Sequence, residues 1–158
     1  GRNRVNGVML GATGNITPAW TIFANYTYLD TKVIQSISDY QKSQGVVDLQ
    51  AGNPMTNNPK HSGSLFTTYT LPFGLQLGYG LTYQGSWYLS NATGAPMYKT
   101  DDYLVHRAML SYPVTESLTA QLNVQNFTNE KYFTSVRNNG WANPGEGRSW
   151  VLTLNYKI

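Results

Sequence analysis

Cysteine is absent from this 158-residue chain, and charged residues make up only 12% of it. Without cysteine the chain can form no disulfide framework, thiolate nucleophile or zinc–thiolate site. No apolar run is long enough for a transmembrane helix, which excludes a helical membrane protein. The net charge of +3 comes from Lys and Arg residues that never form a run, so nucleic acid is not an expected partner.

What the sequence does contain is apolar and polar residues in alternation, in stretches of roughly ten residues that end at turn residues. The pattern is clearest in LQLGYGLTYQGSW, where Leu77, Tyr79 and Leu81 alternate with Gly78 and Gly80. A period of two residues predicts β-strands, and no stretch has the helical period. About seven strands are predicted, over residues 7–14, 20–30, 63–71, 75–87, 103–112, 118–125 and 148–158.

Short and long connectors also alternate along the chain. The short ones are TPA, PFG and PVTES, whereas those at 33–60, 89–101 and 127–147 are long and rich in Asn, Gly, Ser and Pro. This order predicts an up-and-down antiparallel meander, with the tight turns at one end and the long loops at the other. A further strand within 33–60 is the competing possibility, which its Gln, Ser, Asn and Pro content disfavours.

Strands of this period fit either a soluble, lipocalin-like barrel or a transmembrane barrel. The polar side of the strands decides between them, because in a soluble sheet it usually carries Lys and Glu. Here it carries Thr, Gln, Asn, Ser and Gly, and Arg107 is the one charge well inside a strand. That composition suits the water-filled lumen of a transmembrane barrel, which must close because open sheet edges cannot exist in lipid.

Aromatic residues on the apolar side gather near the strand ends, at the two levels where a membrane has its headgroups. The predicted levels are Trp20, Tyr69, Tyr112 and Tyr156 near the tight turns, and Tyr28, Tyr83, Trp87, Tyr103 and Trp150 near the long loops. With Arg107 in the lumen, the neighbouring His106 turns outward. The reverse arrangement is worse, since an outward Arg costs about 2–4 kcal/mol near the midplane.

The last strand keeps its alternation to the final residue. Its outward residues resemble the C-terminal insertion signal of bacterial outer-membrane barrels, and they are Trp150, Leu152, Leu154, Tyr156 and Ile158. Phe is usual at the last position, so Ile158 departs from that pattern. If this end is periplasmic, seven strands place residue 1 outside the cell, whereas single-chain bacterial barrels have an even number. Seven strands are also too few to enclose such a lumen, so we expect the C-terminal piece of a larger barrel.

Several stretches together resemble the last third of a TonB-dependent outer-membrane siderophore receptor, with the catecholate-type subfamily most similar. They are GRNRVNGVMLGATGNITPAWTIFANYTYLD, NPKHSGSLFTTY, YLVHRAMLSYPVTESLTAQLNVQNFTNEKYF and GEGRSWVLTLNYKI. The most specific part is NVQNFTNEKYF. Two residues depart from the family pattern, since Met9 stands where a lumenal Glu is common and Arg107 where many members carry Asp. Both make the lumen wall less acidic.

This resemblance implies that residues 1–158 are the C-terminal portion of a 22-stranded barrel whose N-terminal plug domain is absent from this chain. The receptor would take up ferric siderophore across the outer membrane of a Gram-negative bacterium, driven by TonB acting on the plug. The implied partners are the remainder of the receptor, TonB, outer-membrane lipid and lipopolysaccharide. A passive porin without a plug is the alternative function. An enzyme is not expected, because no nucleophile and base can be paired.

A ferric catecholate is anionic and aromatic, so Arg, Lys, Tyr and Trp on the long loops are its plausible contacts. The candidates are Tyr88, Tyr98 and Lys99 in one loop and Arg137 and Trp141 in the next, with an ordinary solvated loop residue as the competing interpretation of each. Arg107 could guide an anion down the lumen or pair with a carboxylate of the plug or wall. His61 and His106 lack partners at ligand spacing, so neither a metal site nor a cofactor is predicted, and ferric siderophore is the transported ligand.

Overall fold

The structure of the protein is a computed structural model that describes residues 1–137 and 140–158. It contains one seven-stranded sheet in the order β1-β2-β3-β4-β5-β6-β9 and a separate two-stranded hairpin of β7 and β8. All neighbouring strands are antiparallel, so the predicted meander is confirmed. The elements are β1 Arg2–Thr17, β2 Trp20–Gln35, α1 Asp39–Ser43, β3 His61–Thr70, β4 Gln76–Gln84, β5 Tyr103–Pro113, β6 Leu118–Gln125, β7 Phe133–Val136, β8 Ala142–Pro144 and β9 Ser149–Tyr156.

The first hairpin is longer than the sequence predicts. Strands β1 and β2 have 16 residues each, because pairing continues past the alternating region to Arg4 opposite Lys32 and Arg2 opposite Gln35. The first loop, residues 36–60, adds no strand to the sheet, and part of it lies along β2. There Val33 donates its amide hydrogen to Asn53, and Leu29 donates to Lys60.

Helix α1 is the one element type that the sequence analysis missed. Its five residues are too few to show a helical period. Ser38, which precedes them, forms a capping box with Gln41. The Gln41 amide donates to the Ser38 hydroxyl, and the Ser38 amide donates to the Gln41 side chain. No helix among the described residues is long and apolar enough to cross a membrane.

Register divides the side chains of the sheet into two faces, since residues directly opposite one another share a face. One face, called the apolar face below, includes rows such as Leu110, Leu122 and Leu152. The other, called the polar face, includes rows such as Asn25, Ser64 and Thr82. His106 lies opposite Leu81 on the apolar face and Arg107 opposite Gly80 on the polar face, in the arrangement the sequence predicts.

The sheet has almost no core of its own. Among the described residues the buried hydrophobic side chains are Val33, Trp87 and Val124, of which Val33 and Val124 lie near the ends of β2 and β6. Leu77 and Leu154 on the apolar face stay 38% and 61% exposed. The apolar face therefore does not converge on a dry centre and needs an apolar environment outside the chain.

Two aromatic residues do not lie at the predicted outer interface. Tyr103 is on the polar face, because it pairs with Gln84 and its hydroxyl donates to the Gln84 side-chain oxygen at 3.1 Å. Trp87 follows the end of β4 and is buried; its carbonyl accepts the Thr100 amide, and its own amide donates to the Thr100 hydroxyl. Both predictions were wrong, for different reasons. Tyr103 has the same parity as Arg107, so the alternation that puts Arg107 on the polar face also puts Tyr103 there. Trp87 was misplaced because the alternation was extended beyond the end of β4.

Candidate functional site

Arg107 lies in the middle of the polar face, between Gly80 on β4 and Gln125 on β6. Its guanidinium is 5.1 Å from the centroid of the Phe66 ring, a distance typical of a cation–π contact. A side chain on Gly80 would occupy the space that Arg107 fills. Within the described part of the chain, its Nε atom is buried and has no hydrogen-bond partner. Packing over Gly80 and against the Phe66 ring, rather than an ion pair, therefore holds the arginine side chain against the sheet.

Around Arg107 the polar face carries a small apolar patch that the sequence analysis did not single out. Phe23 lies opposite Phe66, and Met109 lies opposite Gly78, where a side chain added to the glycine would meet both Met109 and Phe66. The signal was available in the sequence as the GYG of β4. Glycines there leave room for the larger side chains of the strands on either side.

The third loop, residues 126–148, begins with a buried asparagine that holds both of its ends. Asn126 is only 2% exposed and has φ 47°, a left-handed conformation that Asn tolerates better than most residues. Its side-chain amide donates to the carbonyl oxygens of Glu130 and Glu146, each at 2.9 Å. Its side-chain oxygen accepts the Glu130 amide at 2.8 Å. The motif NVQNFTNEKYF is thus a structural clamp for this loop.

The end of the same motif packs the loop onto the sheet. The Tyr132 ring lies against the Tyr103 ring with centroids 4.5 Å apart. It fills the space that a side chain at Gly145 would need, and the Gly145 amide donates to the Tyr132 carbonyl at 2.8 Å. Only glycine at position 145 therefore lets the two arms of the loop come together.

Arg137 and Trp141 follow β7 and precede β8, at the far end of the third loop. The Arg137 amide donates to the Trp141 carbonyl at 2.7 Å, and both residues line a cleft of about 140 Å³. Arg137 also lines a cleft of about 220 Å³ together with Gln84 of the polar face and Trp87. The Trp141 side chain is 70% exposed. The structure thus brings these two predicted residues together, above the polar face.

Tyr88 and Lys99 form a second group, and Lys99 also lines a cleft of about 310 Å³ with Tyr103, Val136 and Ala142. The backbones of Tyr88 and Lys99 pair as an isolated bridge, and the Lys99 Nζ atom lies 4.6 Å from the Tyr88 ring centroid. Both line a cleft of about 320 Å³, called the rim cleft below, with nine other residues: Leu29, Asp30, Thr31, Pro54, Asn58, Lys60, His61, Gly85 and Ser86. Tyr98 lies next to Lys99 and is largely exposed.

A larger cleft of about 590 Å³ involves none of the five predicted ligand residues. It lies between the first loop and the second loop, residues 85–102, and its lining includes Asn3, Val33, Gln35 and Asn91. The two loops interlock beside it. The Asn91 side chain donates to the Pro54 carbonyl at 2.7 Å, and the Asn53 side chain donates to the Asn91 carbonyl at 2.6 Å. No sequence motif marks this cleft, because it depends on contacts between separate loops.

The first loop also holds a strongly hydrogen-bonded carboxylate. Asp48 accepts the Ser36 hydroxyl, the Ser36 amide at 2.6 Å and the Gln50 amide at 3.1 Å. These bonds favour the charged form and lower the pKa of Asp48 to about 2. The side chain of Gln35 lowers the pKa of Asp39 in the same way, by donating a hydrogen bond. Among the described residues no group of three His, Cys, Asp or Glu side chains could hold a metal ion.

The outward residues of β9 lie on the apolar face at the edge of the sheet. Leu152 pairs with Leu122, Leu154 with Ala120, and Tyr156 with Leu118. Trp150, Leu152, Leu154, Tyr156 and Ile158 are all exposed. The other edge of the sheet is β1.

Comparison with known proteins agrees with this geometry. A family model described as TonB-dependent receptor-like, beta-barrel, matches residues 1–127. The chain belongs to this family. Membership confirms the resemblance, excludes the soluble barrel and places the protein in the outer membrane of a Gram-negative bacterium.

Two curated relatives and one solved structure show which members are similar. The chain is 34% identical over 160 residues to the probable TonB-dependent siderophore receptor PiuA of Acinetobacter baumannii, covering 99% of this chain and 21% of that protein. It is 32% identical over 158 residues to the catecholate siderophore receptor Fiu of Escherichia coli K12, covering 98% and 20%. The crystal structure of PiuA superposes with a TM-score of 0.80 over 98% of this chain and 22% of that one. The chain therefore spans about a fifth of the length of these relatives.

Proposed function

We propose that this chain forms wall and outer loops of a receptor that takes up ferric siderophore, of the catecholate class, across the outer membrane. The observation that carries the proposal is identity above 30% with two siderophore receptors over nearly the whole chain. The chemistry of the polar face supports it. A neutral, hydroxyl- and amide-rich wall with one stacked arginine suits passage of a large anionic complex.

The rest of the receptor supplies what this sheet lacks. Residues 1–158 are the C-terminal portion of a 22-stranded barrel, and β1 and β9 pair with strands outside this chain, since edges in lipid must be satisfied. A plug domain, also outside this chain, fills the lumen and is moved by TonB. The long loops are extracellular and the tight turns periplasmic, the usual orientation of such barrels.

Arg137 and Trp141 are the proposed contacts with the siderophore. They lie together above the polar face, and Arg137 shares a cleft with Gln84 of that face. A guanidinium can bind catecholate oxygens through charge-assisted hydrogen bonds, while an exposed indole can stack on a catechol ring. Tyr98, with its exposed ring, extends the same kind of surface on the second loop.

Transport, not catalysis, is the proposed role of the polar face. Arg107 is placed to attract an anion or a plug carboxylate, and its stacking on Phe66 leaves its outer nitrogens available. Ferric siderophore is cargo, so no resident cofactor is required. The outward residues of the C-terminal segment, Trp150 to Ile158, are proposed as the segment that barrel-assembly machinery recognises through edge pairing.

The test uses the complete receptor that contains this chain. Quenching of its intrinsic fluorescence is titrated with a ferric catecholate, and the double variant Arg137→Ala/Trp141→Ala is compared with wild type. We expect affinity to fall roughly tenfold or more, as loss of an arginine and an aromatic contact predicts. The matched control is Arg148→Ala/Phe133→Ala, which removes the same kinds of side chain elsewhere in the third loop. Unchanged affinity of the first variant would remove this pair from the site.

A second measurement separates a receptor from a porin. Uptake of labelled ferric catecholate is followed in cells with and without TonB, and passage of small neutral sugars is followed in liposomes. TonB-dependent uptake with liposomes that stay impermeable supports the proposal. Sugar passage with no dependence on TonB would establish an open pore instead.

A further inference from the structure

The cleft of about 590 Å³ between the first and second loops, called the interloop cleft below, lies at the long-loop end of the polar face. Asn3 and Val33 line it from opposite positions on β1 and β2. Register places Val33 on the same face as Asn25, and Gln35, two residues further along β2, lines the cleft as well. The interloop cleft therefore continues the polar face beyond the strands, on the side of the sheet along which the proposed cargo passes.

The chemistry of this cleft differs from that of its neighbours. Within residues 1–137 and 140–158, no residue that lines it has a charged side chain, whereas the rim cleft contains Lys60 and Lys99 and the cleft beside Gln84 contains Arg137. Its lining mixes amide and hydroxyl side chains with apolar ones, among them Asn3, Gln50, Ser90, Met55 and Leu89. Such a lining suits an uncharged ligand group that carries amides or hydroxyls, because an ion there would lose its hydration without gaining a partner charge.

Two buried polar side chains hold the walls of the interloop cleft in place. Gln35 and Asn91 are each 6% exposed. The Gln35 side chain accepts a hydrogen bond from the Arg2 guanidinium at 2.7 Å and donates one to the Asp39 carboxylate at 2.7 Å. Asn91 donates to the Pro54 carbonyl and so ties the second loop to the first. Contacts within the chain thus shape the cleft, and a preformed site avoids the entropic cost of ordering its loops around a ligand.

The interloop cleft borders the cleft that contains Arg137. Thr56 lines the first of these clefts, and its sequence neighbour Asn57 lines the second. The Asn57 amide donates to the Tyr88 carbonyl at 2.9 Å, which joins the two loops at this border. A ligand that spans residues 56–57 can therefore contact Arg137 with one part and the interloop cleft with another.

We propose that the interloop cleft binds the uncharged backbone that joins the catechol groups of the siderophore. This inference rests on the proposed function, which places the iron-bound catecholate oxygens at Arg137 and Trp141. The charge of such a complex lies on those oxygens, whereas the units that link the catechols carry neutral amides or hydroxyls. The exposed amide side chains of Asn3 and Gln50 are their hydrogen-bonding partners. The cleft thus selects among catecholate siderophores by backbone, while Arg137 and Trp141 recognise the part that all of them share.

The experiment measures two ferric probes on the complete receptor by fluorescence quenching. One probe is iron with excess free catechol, and the other is iron held by a synthetic ligand whose catechols are joined through amides. Asn3→Ala/Gln50→Ala removes the cleft amides, and Asn155→Ala/Gln44→Ala removes the same exposed side chains elsewhere. We expect only the cleft variant to lose affinity for the linked probe, by roughly tenfold, as loss of two hydrogen bonds predicts. Its affinity for the free-catechol probe should equal that of the wild type.

A second variant tests the cleft by its volume. Ala92→Trp places a ring in the interloop cleft and should likewise weaken binding of the linked probe alone. Its control is Ala51→Trp, at an exposed position of the first loop that does not line the cleft. Heat-modifiable migration in SDS gels checks that the barrel of each variant is folded.

Equal losses for both probes, or no loss for either, in the folded cleft variants would overturn the proposal. The second of these results would show that another part of the receptor, rather than the siderophore backbone, occupies the cleft. A wild-type receptor that binds neither probe would overturn the proposed function, and this inference with it. Because the free-catechol probe does not need the cleft, the two failures are distinguishable.

Discussion

Asn126 and Glu146 are joined by a hydrogen bond of 2.9 Å from the asparagine side-chain amide to the glutamate carbonyl, although the residues are 20 positions apart. The same amide also donates to Glu130. One buried side chain therefore fixes where the third loop leaves β6 and where it returns toward β9.

Replacing Asn126 with Ala should loosen the third loop without unfolding the sheet. It leaves the Glu130 and Glu146 backbone groups without their partner, at a cost of about 1–3 kcal/mol for local opening. Hydrogen-exchange mass spectrometry of peptides covering 127–148 should show faster exchange. Asn155→Ala, an exposed β9 residue, is the control and should leave exchange of the loop unchanged. Equal exchange in both variants would show that Asn126 does not clamp the loop.

Gly145→Ala should displace Tyr132 from Tyr103, because the new methyl group meets the Tyr132 ring. We expect a cost of about 1–3 kcal/mol from overpacking. The neighbouring Gly147→Ala is a close control, since the nearest atom to its added carbon is 3.7 Å away. Guanidinium unfolding of the complete receptor measures both. The double variant Gly145→Ala/Tyr132→Ala removes the ring that the new methyl group meets. If it recovers none of the stability lost in Gly145→Ala, contact with the Tyr132 ring is not the cause of that loss.

Gly80→Ala should disturb the stacking of Arg107 on Phe66. The added carbon competes with the arginine side chain and approaches the Phe66 ring to 3.0 Å. A destabilisation of about 1–3 kcal/mol follows if the wall cannot relax. Gly11→Ala makes the same chemical change in β1, where nothing lies within 4 Å, and should be close to neutral. Similar unfolding midpoints for the two variants would contradict the packing described for Arg107.

Acid should loosen the first loop through Asp48. Since the folded-state pKa is lowered from 3.8 to about 2, the carboxylate stabilises the loop fully above pH 3.8 and progressively less as the pH falls through 2. Asp48→Asn should reproduce this loss at neutral pH, seen as faster amide exchange in peptides covering 36–51. Glu116→Gln, in a tight turn at the other end of the sheet, serves as the control. If the first loop of Asp48→Asn exchanges its amides as slowly as the wild type at pH 7, this interpretation is wrong.

Most strands were predictable because each carries its own signal. The stretch 118–125 matches β6 residue for residue, and β3 and β5 differ from prediction by one or two residues. The ends of β1 and β2 were missed because cross-strand pairing, as between Arg4 and Lys32, extends them where alternation has stopped. The short pieces α1, β7 and β8 were missed because three to five residues cannot establish a period.

The candidate site was less predictable than the fold. Loop chemistry indicated Tyr88, Lys99, Arg137 and Trp141, but it could not divide them between the rim cleft and the cleft beside Arg137 and Trp141. Lys60 and His61 were not linked to Lys99 because they are almost 40 positions apart in the sequence. Their proximity results from β3 and β4 being neighbours and from the loops folding beside them.

The sequence by itself determined the strands, their meander and the chemistry of each face, because a period of two residues fixes which side chains share a side of the sheet. Tertiary structure alone decided which loop residues meet, through long-range bonds such as those of Asn126 and Asn91. It also decided that Trp87 is buried. Alternation is a local property, whereas loop packing depends on contacts between distant segments that no local pattern encodes.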